Sequence, residues 1–205
     1  MKKYFVTGIG TGVGKTFVSA ILTEALEADY WKPVQSGSIE GTDTQRVKDL
    51  VTNPTSAFHE EVYCFKDPVS PHMAAERENV RITLEYFVLP KTQRTLIIEG
   101  AGGILVPLNE NSYVIDLASG FETEVILVVG SYLGCINHSI LSMEYLLSNG
   151  YNGKGMILNG KFDTEVRRSI IWYSEIPVLA ELPHITDVSK ESISHLAKSI
   201  DKSLF

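Results

Sequence analysis

Tyr4-Phe5-Val6-Thr7-Gly8-Ile9-Gly10-Thr11-Gly12-Val13-Gly14-Lys15-Thr16 decides the fold: an apolar strand runs into a glycine-rich turn and then into a helical stretch, Phe17 to Ala28. Glycines let backbone N–H groups turn inward on phosphate oxygens, a lysine adds a mobile positive charge, and a threonine hydroxyl beside it can ligate Mg²⁺. The helix that follows adds the positive end of its dipole to the same anion. Strand, turn and helix in this order read as a polyphosphate cradle, with Gly12, Val13, Gly14, Lys15, Thr16 and Phe17 as the expected nucleotide contacts. The stretch departs from the usual G-x-x-x-x-G-K-[ST] pattern at one place. Ile9 stands where the first glycine is usual, and Gly8 precedes Gly14 with one residue more between them.

Working outward, the chain has 205 residues, 44% of them hydrophobic, which is enough for one well-buried core. No Ser/Gly-rich or Pro-rich linker divides it and no internal repeat appears, so a single domain over 1–205 is expected. A net charge of −7 argues against a general nucleic-acid binder, which needs an excess of basic residues. Small anions must then be met locally, by a loop such as the one above. Cys64 and Cys135 lie far apart in unlike contexts, which excludes a CxxC redox or zinc motif and suggests two buried thiols. Met1-Lys2-Lys3 leads directly into the first strand, and no apolar run reaches membrane-spanning length, so neither a signal peptide nor a membrane partner is expected and the location expected is cytoplasmic.

Short apolar runs recur at Tyr4 to Thr7, Tyr30 to Val34, Thr95 to Ile98, Val125 to Val129, Gly155 to Leu158 and Pro177 to Leu179. Helical spacing separates most of them: Ile140, Leu141, Glu144, Leu147 and Asn149 form one pattern ending at Gly150, and Val166, Ile170 and Tyr173 a shorter one. Continuous apolar strands joined by helices imply an α/β fold, a doubly wound and mainly parallel sheet with helices on both faces. In such folds ligands sit beyond the carboxyl ends of the strands. The residues there are Gly8 to Thr16, Lys32 with Ser36, Glu99-Gly100, Gly130 onward, Asn159 and Leu182-Pro183.

Beyond the loop, two of these segments carry charge, and the stretch Gly41 to Thr44 adds a third. Lys32 sits on a strand beside the cradle, with the turn Gln35-Ser36-Gly37-Ser38 behind it, and both face the phosphates. Glu99 follows the buried aliphatics Leu96-Ile97-Ile98, the Walker-B position from which a carboxylate holds Mg²⁺ directly or through water. Asp43, in Gly41-Thr42-Asp43-Thr44, has the form of a helix N-cap, a role it can share with metal ligation only if the cap faces the metal. His72 and His138 are general-base candidates by residue type only; a hydrogen-bonded structural role is the commoner one.

Val6-Thr7-Gly8 through Gly14-Lys15-Thr16, Lys32-Pro33-Val34 with Ser36-Gly37, Ser70-Pro71-His72, Glu99-Gly100-Ala101-Gly102-Gly103, and Leu133-Gly134-Cys135-Ile136-Asn137-His138 together resemble the dethiobiotin synthetase family, in order and spacing over most of the chain. The lysine-proline-valine and glutamate-glycine blocks are far more specific than the phosphate loop. The resemblance implies a P-loop NTPase-like fold and a homodimeric, ATP- and Mg²⁺-dependent ligase of biotin synthesis. Such a ligase converts 7,8-diaminononanoate and CO₂ to dethiobiotin and releases ADP and phosphate. On the matching motifs it implies Mg²⁺ held by Thr16, Asp43 and Glu99, and phosphoryl transfer served by Lys15 and Lys32. Substrate would be touched by Ser36, Gly103 and Asn137, from a site near the subunit interface, and the nucleotide by Glu99, Gly100, Ala101 and Gly102. Adenine would be met by Asn159 and Gly160 with Pro183, His184 and Ile185. The segment Leu182-Pro183-His184-Ile185 keeps only the proline of the family's form, and Lys190 falls near a position often acidic, which points to a looser choice of base.

Two rival classes share the loop. A regulatory GTPase reads guanine with Asn-Lys-x-Asp, and here Asn159-Gly160-Lys161-Phe162-Asp163 interposes a glycine. A MinD- or ParA-like switch ATPase carries a lysine early in its loop, where this chain has Gly10, and its membrane form ends in an amphipathic helix. Ile193, Leu196, Ala197, Ile200 and Leu204 make such a stripe, whose commoner fate is packing against the sheet.

Overall fold

The computed structural model describes all 205 residues, and its longer strands lie on the buried apolar runs. In chain order the elements are β1 (Lys3–Gly8), α1 (Lys15–Leu26), β2 (Asp29–Trp31), β3 (Val34–Ser36), α2 (Asp43–Leu50), β4 (Phe58–His59), β5 (Tyr63–Phe65), α3 (Pro71–Arg77), β6 (Leu96–Glu99), α4 (Asp116–Gly120), β7 (Glu124–Gly130), α5 (Cys135–Ser148), β8 (Gly153–Asn159), α6 (Thr164–Tyr173), β9 (Val178–Leu182) and α7 (Lys190–Ala197). Seven strands form one sheet in the order β4-β2-β6-β1-β7-β8-β9, and every pairing is parallel. Residues 125–130 of β7 are all buried, the mark of a strand covered on both faces. One group of helices, α1 with α2 and α7, packs together on one side, and α5 with α6 on the other.

The topology positions the site. From β1 the chain winds outward through β2 and β4, returns to β6 beside β1, and then winds the other way through β7, β8 and β9. Strand order therefore reverses around β1, and the carboxyl ends of β6, β1 and β7 converge where a parallel sheet of this kind offers its crevice.

Several sequence expectations need correction. The run Tyr30 to Val34 is not one strand: it breaks at Lys32-Pro33, leaving β2 in the main sheet and β3 paired with β5 in a separate two-stranded sheet. Pro33 has no N–H to continue a ladder, and its carbonyl instead accepts from the N–H groups of Val62 (2.9 Å) and Tyr63 (3.1 Å). Helix α1 begins and ends two residues earlier than the apolar pattern suggested, because Gly14 already adopts the left-handed backbone (φ 93°) that starts it. Cys135 is buried as expected, but Cys64 is exposed: on β5 its neighbours Tyr63 and Phe65 take the inward face, so the residue between them points out. The amphipathic stripe near the C-terminus packs on α1, burying Ile193, Leu196 and Ala197, and no helix of the chain is long and apolar enough to cross a membrane.

Candidate active site

Helix α1 opens without a side-chain cap and with no acidic residue in its first turn, so the N–H groups of its first residues face outward unpaired. Uncapped donors at a helix start, reached through a loop of glycines, favour an anion. Space is also restricted at Gly14, where a Cβ would lie 2.1 Å from the Asn159 amide nitrogen. The Asn159 Nδ2 instead donates to the Val13 carbonyl at 2.9 Å, tying the end of β8 to the loop. Lys15 folds back over the loop and donates to the Gly10 carbonyl at 3.0 Å. Burial lowers its ammonium from the ordinary 10.5 to about 8, with Glu99 opposing that shift and Lys32 adding to it. A lysine this short of partners gains most when a phosphate arrives.

Beside the loop lies a buried charged cluster. Lys32 Nζ donates to Glu99 Oε1 (2.8 Å) and the Gly100 carbonyl (3.2 Å), and pairs with Asp43 Oδ2 at 2.9 Å. Thr16 Oγ1 donates to the same Glu99 Oε1 at 2.8 Å. Burial opposes charge on Lys32, and Glu99 with Asp43 more than offsets it, holding the ammonium above its ordinary value. Burial also opposes charge on Asp43, yet Lys32, Arg46 and the Thr16 hydroxyl hold that carboxyl below its usual range. The expected triad Thr16, Asp43 and Glu99 is thus assembled from β6, α1 and α2, with Lys32 spanning its two carboxylates.

Asp43 is not the cap of α2. Thr42 is, its side chain accepting from the Gln45 N–H at 3.2 Å, which frees the Asp43 carboxylate to turn toward Lys32. The Asp43 N–H in turn donates to Gln35 Oε1 (3.0 Å), and Gln35 Nε2 donates to the Ser36 carbonyl (2.7 Å), so Gln35 locks the turn after β3 to the start of α2. Sequence reasoning passed over Gln35, and also Tyr30, whose hydroxyl donates to Glu99 Oε2 at 2.9 Å. Alternation along the short strand β2 gives no hint of the Tyr30 contact, since all of its residues are buried.

Hard oxygen donors in this set suit Mg²⁺, which takes one or two carboxylates and completes its shell with water and substrate phosphate. The hydroxyls of Ser36, at the end of β3, and of Thr44, next to Asp43, are buried without a partner. The block after Glu99 closes on the loop. A Cβ on Gly103 would lie 3.5 Å from the Gly10 Cα, so this edge is built of two glycine backbones in near contact.

Two cavities flank the loop. The larger, about 710 Å³, is lined by Gly12, Val13 and Phe17 on one side and by Asn159, Pro183 and Ile185 on the other, and it also takes in Gly160, Lys161 and His184. The smaller, about 380 Å³, contains Gly103, Thr11 and His138. Thr11 borders both. Asn137 is exposed and lines neither, and His138 hydrogen-bonds through Nδ1 with the Tyr132 hydroxyl at 2.8 Å. His72 Nδ1 is buried without a partner, away from the loop in a separate cavity beside α3.

A family model described as an AAA domain matches residues 2–192. The ATP-dependent dethiobiotin synthetase BioD of Cytophaga hutchinsonii is 46% identical over 96% of this chain and 96% of its own length. That of Christiangramia forsetii is 41% identical over 99% of this chain and 98% of its own. Among solved structures, the septum site-determining protein MinD from Pyrococcus horikoshii, complexed with Mg-ADP, superposes with a TM-score of 0.57 over 98% of this chain and 96% of that one, at 14% identity. A ParA family ATPase from Chlorobium tepidum gives 0.55 over 99% and 93%, at 13% identity. These two likenesses establish a P-loop NTPase-like fold and nothing further.

Proposed function

Because this chain belongs to the family of ATP-dependent dethiobiotin synthetases, we propose that it closes 7,8-diaminononanoate and CO₂ into dethiobiotin at the expense of ATP, with Mg²⁺ as cofactor. The observation that carries this reading is the Lys32–Glu99–Asp43–Thr16 cluster set against an uncapped helix start, an arrangement built to manage anions and a divalent cation together.

The chemistry demands such a site. One amine captures CO₂ as a carbamate, a poor electrophile that carries negative charge. A carbamate oxygen attacks the γ-phosphorus of ATP and ADP leaves, forming a carbamic-phosphoric anhydride. The second amine then attacks the carbonyl carbon, phosphate departs with the C–O bond, and the cyclic urea is closed. Two anions meet in the transfer step, and Lys15 and Lys32 offset their repulsion as charge moves to the leaving oxygens. Thr16, Asp43 and Glu99 would hold Mg²⁺, which when bound draws charge from the phosphate oxygens. Holding both amines in one molecule removes a bimolecular step. Ser36 and Gly103 would meet the diamine, and the Gly100-Ala101-Gly102 block the nucleotide, with the Gly100 N–H itself held by the Val6 carbonyl at 2.9 Å.

The reading also has a second copy of this chain cover the smaller cavity, whose lining exposes the apolar side chains of Leu105 and Leu141, and bring Asn137 to the substrate from across that interface. Two free thiols suit a reducing, cytoplasmic compartment, and a net charge of −7 leaves nucleic acid without a counterpart. Incubation with ATP, Mg²⁺, bicarbonate and the diamine should yield dethiobiotin by mass spectrometry; its absence, with the diamine recovered intact, overturns the assignment.

Base choice follows from the larger cavity. Asn159 has one amide hydrogen committed to Val13, which leaves Oδ1 and the other hydrogen for a purine edge. With Asn159 as the one polar side chain assigned to read the base, discrimination is modest, because strong rejection needs several polar groups left unpaired by the wrong base. The ratio of kcat/KM for ATP over GTP or CTP, with the other substrates saturating, should therefore stay below about 10⁴. A larger ratio would mean that backbone groups around Pro183 read the base.

A further inference from the structure

Glu99 is held from both ends, and only one end faces the cluster. Its Oε1 accepts from Thr16 and Lys32, both at 2.8 Å, whereas Oε2 points the other way and accepts from the Tyr30 hydroxyl at 2.9 Å. Tyr30 belongs to β2 and pairs in register with Ile97, two residues before Glu99 on β6, so the phenol reaches along the sheet to the end of the neighbouring strand. Tyrosine and carboxylate are both fully enclosed, at 0% and 1% exposure. The tyrosine ring is fixed by apolar neighbours, among them Phe58 with centroids 6.4 Å apart.

We infer that Tyr30 is a positioning residue for the metal site, fixing the Glu99 carboxylate so that Oε1 is presented to Thr16, Lys32 and the cation. The inference rests on the metal role proposed above for Glu99. A carboxylate rotates about its terminal torsion over a broad, roughly two-fold range, so a single anchored oxygen leaves the other free to swing. With Oε2 tied to a phenol that cannot itself move, rotation would break a buried hydrogen bond and leave an oxygen unpaired. Outer partners of this kind fix the direction of a ligand without touching the metal. A purely structural tyrosine would need only some acceptor for its hydroxyl. Here the acceptor is the residue on which Thr16 and Lys32 also converge.

Tyr30→Phe removes the hydroxyl and keeps the ring, so the packing with Phe58 survives. The experiment compares the parent, Tyr30→Phe and Glu99→Gln, by calorimetric titration of Mg²⁺ into protein saturated with a non-hydrolysable ATP analogue, and by the Mg²⁺ dependence of turnover. Tyr30→Phe should raise the Mg²⁺ half-saturation about 10-fold or more, within the range of 10–100-fold seen when outer partners are lost, while KM for the diamine stays at the parent's value. A lower Tm with an unchanged Mg²⁺ titration would overturn the inference and leave Tyr30 structural. Should the parent and Glu99→Gln titrate alike, the metal role of Glu99 fails first; should only Glu99→Gln shift, that role stands and the inference about Tyr30 fails.

Discussion

Lys15→Ala is expected to leave a folded protein with kcat reduced on the order of 10²–10³-fold, the usual loss when one preorganised donor to a transition-state anion is removed. Though itself buried, the lysine extends over the loop to the Gly10 carbonyl and is no part of the apolar core. Its protonation gives the prediction a second edge. The folded-state ammonium is lowered to about 8 from 10.5 by burial, so the fold disfavours the charged form below that pH, and stability rises as pH climbs from about 8 toward 10.5. Replacing Lys15 relieves that penalty, and the variant's Tm at pH 7 should equal or exceed the parent's. Loss of activity with a fall in Tm would mean that Lys15 supports the fold instead.

Lys32→Met is expected to cost about 3–5 kcal/mol of stability, because it strands two carboxylates that share one buried cation. For a domain of this size that is a fall in Tm of roughly 6–20 °C. Lys32 is held above its ordinary value and Asp43 below its own, so the pair stabilises across the whole neutral range. On the acid side the contribution is lost as pH falls through the depressed Asp43 value, since a protonated Asp43 no longer needs the ammonium. The gap between variant and parent should accordingly narrow in acid, and at pH 7 Mg²⁺ with nucleotide should recover part of it by replacing the missing charge. A Tm within about 2 °C of the parent at pH 7 would show that Asp43 and Glu99 do not depend on Lys32.

Much of this was legible in the residues, for a definite reason. The cradle is written in local sequence, where Gly14 must take a positive φ and Lys15 and Thr16 must follow it at the helix start. Strands β6, β7 and β8 are apolar runs whose period admits little else, and their last residues Glu99, Gly130 and Asn159 fall at the crevice because parallel strands all end there. What stayed hidden depends on partners far apart in the chain. The break at Pro33 carries Ser36 out of the main sheet, and no periodicity over such short segments shows it. The Thr42 cap of α2 is a local contact with the Gln45 N–H, whereas the turn of the Asp43 carboxylate toward Lys32 is a tertiary fact. Tyr30 and Gln35 act through Glu99 and Asp43 and match no motif of their own. Asn137 lines neither cavity of the single chain, so the substrate contact proposed for it rests on a second copy.

On the proposed function, ATP turnover in this protein is tied to a diamine rather than to a partner protein or a membrane. The most direct test is phosphate release from ATP with Mg²⁺ and bicarbonate present, measured with and without 7,8-diaminononanoate. Release should be slow without the diamine, and with it fast and equal, mole for mole, to the dethiobiotin formed. A rate indifferent to the diamine, but raised by a protein or by lipid vesicles, would contradict it.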